Sequence, residues 1–441
     1  MSNKKVNIVD DCMGSGKTEG VFQLINSHPE RLYLCIVPLR TEIKRYMEKI
    51  NRKTYTPICF NKNRQKLDNL KELLEMGVSI VSTHALFLDI DEEVIELIKS
   101  RNYHLVIDEA ISVLSIISTG AKHSELDETD LQEGIPSLTR DEIQWLFDNN
   151  MMIVDPNDSS KIIWTGKPSD YHDYLWVERL AKNNALVYIN NTVMLWHFPH
   201  LVFTLFDSIT ILTYLFEKSL LCSYFKVYGI QYQLYSVKQT GIAENEDRLY
   251  EFTQYNPKKE NRKILADLIN VCEDESLNSI GNKWGRSFPL SASWYKANNK
   301  GDKKKLKQLQ NNTTTFYRRR QDAPRDSVMW TTYKKFRNIL CPKGYKTIDE
   351  LQQEPSFVSC NAMATNDYKE RYNLSFLCDL HINPNICRFF DLHGIEVDRE
   401  GYALCMLLQW IFRSRVRDNE EINLYIPSER MRNIYYDWIS A

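Results

Sequence analysis

Two short stretches have the residue types needed to hold and cleave a nucleoside triphosphate. The first, Asp11-Cys12-Met13-Gly14-Ser15-Gly16-Lys17-Thr18, ends in G-K-T. Gly14 and Gly16 let backbone N–H groups approach phosphate oxygens, and a helix starting here adds positive potential. Lys17 would reach the β- and γ-phosphates, Thr18 would hold Mg²⁺, and Ser15 completes the loop. Asp11 stands where such a loop usually begins with glycine. The second stretch, Leu105-Val106-Ile107-Asp108-Glu109-Ala110, follows roughly ninety residues later and ends an apolar run in two adjacent carboxylates. Asp108 can reach Mg²⁺ through water, and Glu109 can polarise an attacking water. Hydrolysis needs both roles, because charge must be balanced while a nucleophile is aimed. ATP and Mg²⁺ are therefore the expected cofactors.

Each stretch needs a strand to present it. Val6–Val9 runs into the loop and His104–Ile107 into the carboxylates; Leu32–Val37 and Val78–Ser82 also read as buried strands. Amphipathic stretches lie between them at Glu19–Asn26, Thr41–Lys49 and Arg64–Met76. Such alternation implies a parallel sheet covered on both faces. A second set comes late, with strands expected at Ser356–Cys360 and Asn423–Ile426 and helices at Leu374–His381 and Tyr402–Arg417. The expectation is an α/β protein of two lobes, 1–216 and 217–441, although no Gly/Ser/Pro-rich linker marks the boundary. Thr119–Ser159 is acidic and polar and reads as a surface insertion in the first lobe. Gly281–Tyr345 reads as a basic, mainly helical insertion in the second.

That basic stretch has sixteen Lys or Arg against Asp302, Asp322 and Asp326, a local +13 in a chain of net charge -2, so the remainder carries -15. Its cations, Arg318, Arg319 and Arg320 among them, are interleaved with Trp284, Trp294, Tyr295, Phe316, Tyr317, Trp330, Tyr333 and Phe336. Either the cations meet phosphates while the rings stack on unpaired bases, or the rings are core and the lysines are solvated. The ten cysteines form no C-x-x-C pair, which argues against a zinc knuckle, and scattered thiols suit a reducing cytoplasm. The longest uncharged run, 183–206, contains four Asn, a Pro and two His, so no membrane span is expected.

Taken together, the motifs resemble those of superfamily 2 (DEAD/DEAH-like) helicases, of the divergent kind encoded by bacteriophages. Val37-Pro38-Leu39-Arg40-Thr41-Glu42 resembles motif Ia, and Ser82-Thr83-His84-Ala85-Leu86 the T-H-A-L strand end. Ile211–Phe216 stands where motif III would couple hydrolysis to the nucleic-acid site. Gln409-Trp410-Ile411-Phe412-Arg413-Ser414-Arg415-Val416-Arg417 resembles motif VI, with Phe412 in place of its glycine and its last arginine displaced. The resemblance implies two RecA-like P-loop NTPase lobes. It gives catalytic roles to Lys17, Asp108, Glu109, Gln409, Arg413 and Arg417, the last two expected on one helix face. It also implies nucleic-acid contacts at Arg40, Thr83, His84, Thr365 and Asn366; the last two are motif V candidates that an ordinary strand-to-helix loop explains equally well. The implied activity is ATP-dependent translocation on, or unwinding of, single-stranded or partly duplex nucleic acid. DNA is favoured, in phage DNA replication in the host cytoplasm, with replication proteins as partners. A viral DNA-packaging ATPase and a non-catalytic helicase-derived binding protein are the rival readings. The first would bring a nuclease carboxylate cluster, and the second leaves Lys17, Asp108 and Glu109 unexplained.

Overall fold

The chain is described from a computed structural model covering residues 5–59, 65–118, 137–166, 172–189, 193–243, 248–257, 261–285, 287–345, 356–360 and 368–441. Its described residues form two compact units. One comprises the described residues up to Asn256 together with Asn383–Val397; the other comprises Pro257–Ile382 and Asp398–Ala441. The boundary expected near Glu217 thus falls after Asn256, because two further strands join the first sheet.

The strands of the first unit are β1 (Val6–Asp10), β2 (Leu32–Val37), β3 (Ile80–Thr83), β4 (Tyr103–Asp108), β5 (Leu114–Ser118), β6 (Met152–Asp155), β7 (Asp158–Trp164), β8 (Leu186–Ile189), β9 (Val193–His197), β10 (Ser208–Thr213), β11 (Tyr232–Ile242) and β12 (Arg248–Gln254). Seven of them build one sheet in the order β12-β11-β1-β10-β4-β2-β3. All its pairings are parallel except that of edge strand β12 with β11. Near-continuous burial along β1, β2 and β4 is what a sheet covered on both faces requires. On one face, helices α1 (Lys17–Ser27) and α2 (Arg40–Lys49) close a core of Val9, Val21, Ile25, Cys35, Val106 and Leu212. Each such side chain contributes about 1.5–3 kcal/mol by leaving water. Phe22 and Tyr46 join the two helices edge to face, with centroids 4.7 Å apart.

Between β4 and β10 the chain builds a second sheet, β5-β9-β8-β7-β6, antiparallel throughout. The described part of the expected acidic insertion, 137–159, feeds it through helix Arg140–Asp148 and strand β6. Residues 119–136 lie outside the described ones.

The second unit has a four-stranded parallel sheet, β13-β16-β15-β14, made of β13 (Ile269–Val271), β14 (Val328–Thr331), β15 (Asn373–Phe376) and β16 (Ile422–Tyr425). Strand β15 replaces the helix expected at Leu374–His381. Its buried Asn373 is satisfied across neighbouring segments: Asn423 donates to Asn373 Oδ1 at 2.9 Å, and Asn373 donates to Ser327 Oγ at 2.9 Å. Of the strand expected at Ser356–Cys360, Phe357 makes a single bridge to Trp330. The basic segment is mainly helical, at Ala292–Asn298 and Lys304–Thr315, and it also supplies β14. No helix among the described residues is long and apolar enough to cross a membrane.

Candidate nucleotide site

The loop between β1 and α1 is shaped by two left-handed glycines, Gly14 at φ 82° and Gly16 at φ 95°. Gly16 is the N-cap of α1, and no side chain caps that end. A Cβ on Gly16 would overlap the ring of Tyr250 on β12, so the position needs glycine both for its backbone angle and for space. Lys17 turns its ammonium onto the carbonyls of Asp11 and, at 2.7 Å, Cys12. Burial holds this ammonium below the usual lysine value, against the pull of Cys12, Asp11, Asp108 and Asp10. Ser15 Oγ is buried within the loop and has no hydrogen-bond partner among the described residues.

Two aspartates before the loop anchor it, and sequence reasoning missed the role of Asp10. Its carboxylate accepts the backbone N–H groups of Leu215 at 2.7 Å and Phe216 at 3.0 Å. Burial pushes Asp10 up to about 6, although those same N–H groups favour its charge. Asp11, in the first motif position, accepts from Val237 N at 3.0 Å, and its own N–H donates to Thr213 at 3.1 Å. The loop is therefore tied to the end of β10 and to the middle of β11. The end of β10 is the Ile211–Phe216 stretch.

Strand β4 brings Asp108 across to the loop. Thr18 Oγ1 donates to Asp108 Oδ2 at 3.2 Å, and Tyr46 Oη donates to the same oxygen at 2.8 Å. Burial raises Asp108 above the usual carboxylate range, and the Tyr46 hydroxyl is the largest opposing influence. Arg45 fastens α2 to α1 through Glu19 at 2.9 Å, with Glu42 at 3.2 Å on its other nitrogen. No sequence signal marks Tyr46, because its contact is tertiary. Glu109, next along, adopts φ 65°, a left-handed angle rare in a residue with a side chain. The paired Thr18 and Asp108 oxygens are hard ligands of the type Mg²⁺ takes, and with the buried Ser15 hydroxyl they fit a metal–phosphate group. Thr18, Asp108 and Lys17 would hold it. Bound there, Mg²⁺ would neutralise developing phosphate charge.

A relative matches this chain over almost its whole length. The SPbeta prophage-derived uncharacterized protein YonV of Bacillus subtilis (strain 168) is 30% identical over 451 residues, spanning 99% of each chain. The chain belongs to the YonV family. A family model described as the YonV C-terminal Rossmann-like domain matches residues 263–439. Among solved structures, XPD in its apo form is 13% identical, with TM-score 0.50 over 99% of this chain and 95% of that one. An XPD helicase structure is 12% identical, with TM-score 0.50 over 99% and 94%. These likenesses show the fold, α/β with two RecA-like lobes.

The remaining expected residues are placed as follows. Arg40 is exposed at the start of α2. Thr83 caps the helix His84–Leu88 by accepting from Leu86 N. His84 is 2% exposed, and its Nε2 meets the Asp108 carbonyl at 2.8 Å, so it braces the end of β4 from a buried position. Thr365 and Asn366 lie outside the described residues. In the second unit the helix Arg399–Ile411 carries Gln409 but stops before Arg413. Arg413 is buried, and Arg417 sits on a separate 3₁₀ turn, so the two do not share one helix face. Arg415 lies 4.0 Å over the Tyr372 ring and donates to the Glu421 carbonyl, a structural role. Arg318, Arg319 and Arg320 are exposed on one turn, and Arg320 pairs with Asp274 at 2.5 Å. Among the described residues no group of three or more His, Cys, Asp or Glu could hold a further metal ion.

Proposed function

We propose that this chain is an ATP-hydrolysing motor acting on single-stranded or partly duplex nucleic acid, with DNA favoured, in phage DNA replication in the host cytoplasm. Thr18 and Asp108 meeting at the mouth of a left-handed glycine loop is the observation that carries this reading. The two oxygens and Lys17 bind and orient a nucleotide–metal group, and Glu109, the next residue after Asp108, orients water. Gln409, Arg413 and Arg417 enter this proposal through the motif VI resemblance alone, and the exposed Arg40, Arg318 and Arg319 through their charge. The XPD-like fold supports a helicase-type enzyme, and the prophage relative supports a phage setting.

The test is phosphate release by purified protein, alone and with single-stranded DNA, single-stranded RNA or duplex. Wild type should hydrolyse ATP faster with a single strand present. Glu109→Gln should still bind ATP yet turn over at least about a hundredfold more slowly, the scale of losing a general base. Lys17→Ala should lose nucleotide binding or turnover. Near-normal hydrolysis by Glu109→Gln would remove Glu109 from that role, and no hydrolysis by wild type under any condition would sink the motor reading.

A further inference from the structure

Most rings of the basic segment are already committed to the protein interior. Trp284 is not: it is 87% exposed, the one exposed tryptophan among the described residues. Tryptophan is large and apolar, and solvent contact at this scale is costly unless something covers the ring. Hydrogen bonds hold its backbone. Lys283 N donates to Glu429 Oε2 at 2.7 Å, and Trp284 N donates to Ser287 Oγ at 3.3 Å. Ser287 returns both its N–H, at 3.1 Å, and its hydroxyl, at 2.7 Å, to the Trp284 carbonyl. Just before the turn, Gly281 packs so tightly that a Cβ would overlap the Pro427 carbonyl.

A cation and a second ring, Lys283 and Phe288, lie close to Trp284 in the chain. Phe288 is 52% exposed, with the Lys283 ammonium 5.9 Å from its ring centre. His381 stands edge-on to Phe288 at 5.3 Å. His381 is held by Asp379 at 2.9 Å, whose other oxygen takes Arg430 at 2.9 Å. Asp379 and His381 follow the C-terminal end of β15, and Glu429 and Arg430 follow that of β16, the edge at which parallel sheets bind ligands.

We infer that Lys283, Trp284, Phe288 and His381 form a stacking subsite for unpaired bases of a single nucleic-acid strand. This rests on the proposed nucleic-acid motor and adds a definite site to it. The charge of the surrounding segment, +13 over residues 281–345, selects a polyanion over an apolar protein partner. Exposed rings beside a cation suit a strand whose bases are free, because every base offers a π-face. A paired duplex hides those faces.

The experiment measures binding of fluorescent oligo-dT, oligo-rU and a blunt duplex to wild type, Trp284→Ala, Trp284→Phe and Lys283→Ala, each at several salt concentrations. Trp284→Ala should weaken binding roughly fivefold to a hundredfold, the cost of one base–aromatic stack. Its salt slope should match wild type, because stacking releases no counterions. Trp284→Phe should recover most of the loss, and Lys283→Ala should flatten the slope. The melting temperature of Trp284→Ala should hold, since the ring is exposed. Trp284→Ala binding within twofold of wild type would overturn the subsite while leaving the motor reading intact. Failure of wild type to bind either strand would overturn both. Parallel losses on dT and rU are expected, and loss on a blunt duplex alone would overturn the assignment.

Discussion

One oxygen of Asp108 receives two hydroxyl protons, from Thr18 and Tyr46, in a place where burial works against its charge. The Tyr46 hydroxyl therefore does more than fill space: it fixes which way the carboxylate faces. Tyr46→Phe keeps the ring that packs on Phe22 and removes only the donor. We expect the Mg²⁺ concentration needed for tight binding of fluorescent ADP to rise roughly 10- to 100-fold, the scale seen when a partner behind a metal ligand is lost. Affinity measured in EDTA should hold. An unchanged Mg²⁺ midpoint would show that Tyr46 is packing alone. At this scale the sequence was readable where function is written in adjacent residues. G-S-G-K-T and Asp108-Glu109 each announce a strand end with its chemistry. Tyr46, Asp10 and Tyr250 reach the loop through the fold, so no spacing reveals them.

Among the elements, the basic segment shows how composition conceals a core. Its lysines and arginines are many, yet Tyr295, Phe316, Tyr317, Trp330, Tyr333 and Phe336 are all buried. Several reach backbone carbonyls: Tyr295 at Leu377, 2.6 Å; Tyr317 at Met329, 3.1 Å; Tyr333 at Asp379, 2.9 Å. Trp330 donates to Ser356 Oγ at 3.2 Å from within β14. Of the two roles left open by the sequence, the core role holds for these rings. Trp330→Ala should cost about 3–5 kcal/mol of stability, seen as a lower urea midpoint for the second unit, while the folded fraction keeps its nucleic-acid affinity. A normal midpoint with weakened binding would reverse that assignment. The same limit explains β15. A short apolar run fits a strand or a buried helix equally, and only its neighbours decide. The helix at Arg399 was legible from its period, but its end at Ile411 was not, so Arg413 and Arg417 were wrongly expected to share a face.

At the scale of the whole molecule, three segments of the first unit converge on a histidine. His197 ends β9 of the antiparallel sheet, stacks on Tyr228 at 5.8 Å, and faces Phe389 of the returning helix Pro384–Leu392 at 6.3 Å. Its Nδ1 also lies near the Phe198 carbonyl at 3.2 Å and the Tyr224 and Tyr228 hydroxyls at 3.5 and 3.4 Å. Burial lowers it from 6.5 to about 4, so the folded chain keeps it neutral. As pH falls, the unfolded chain takes up this proton first. The stability is present above about 6.5 and drains away toward 4. Between pH 7.5 and 4.5, wild type should lose about 2–3 kcal/mol more than His197→Phe, from paired urea titrations. Parallel losses would show that other groups set the acid limit. The helix facing His197 has a consequence for how the protein is made. Residues Asn383–Val397 belong to the first unit, although all of Pro257–Ile382 precedes them in the chain. During translation the β5 and helix Leu220–Val227 surfaces of the first unit therefore lack this packing partner until the returning helix has been made. The second unit's first strands are synthesised during that interval, so the order of synthesis is not the order of completion.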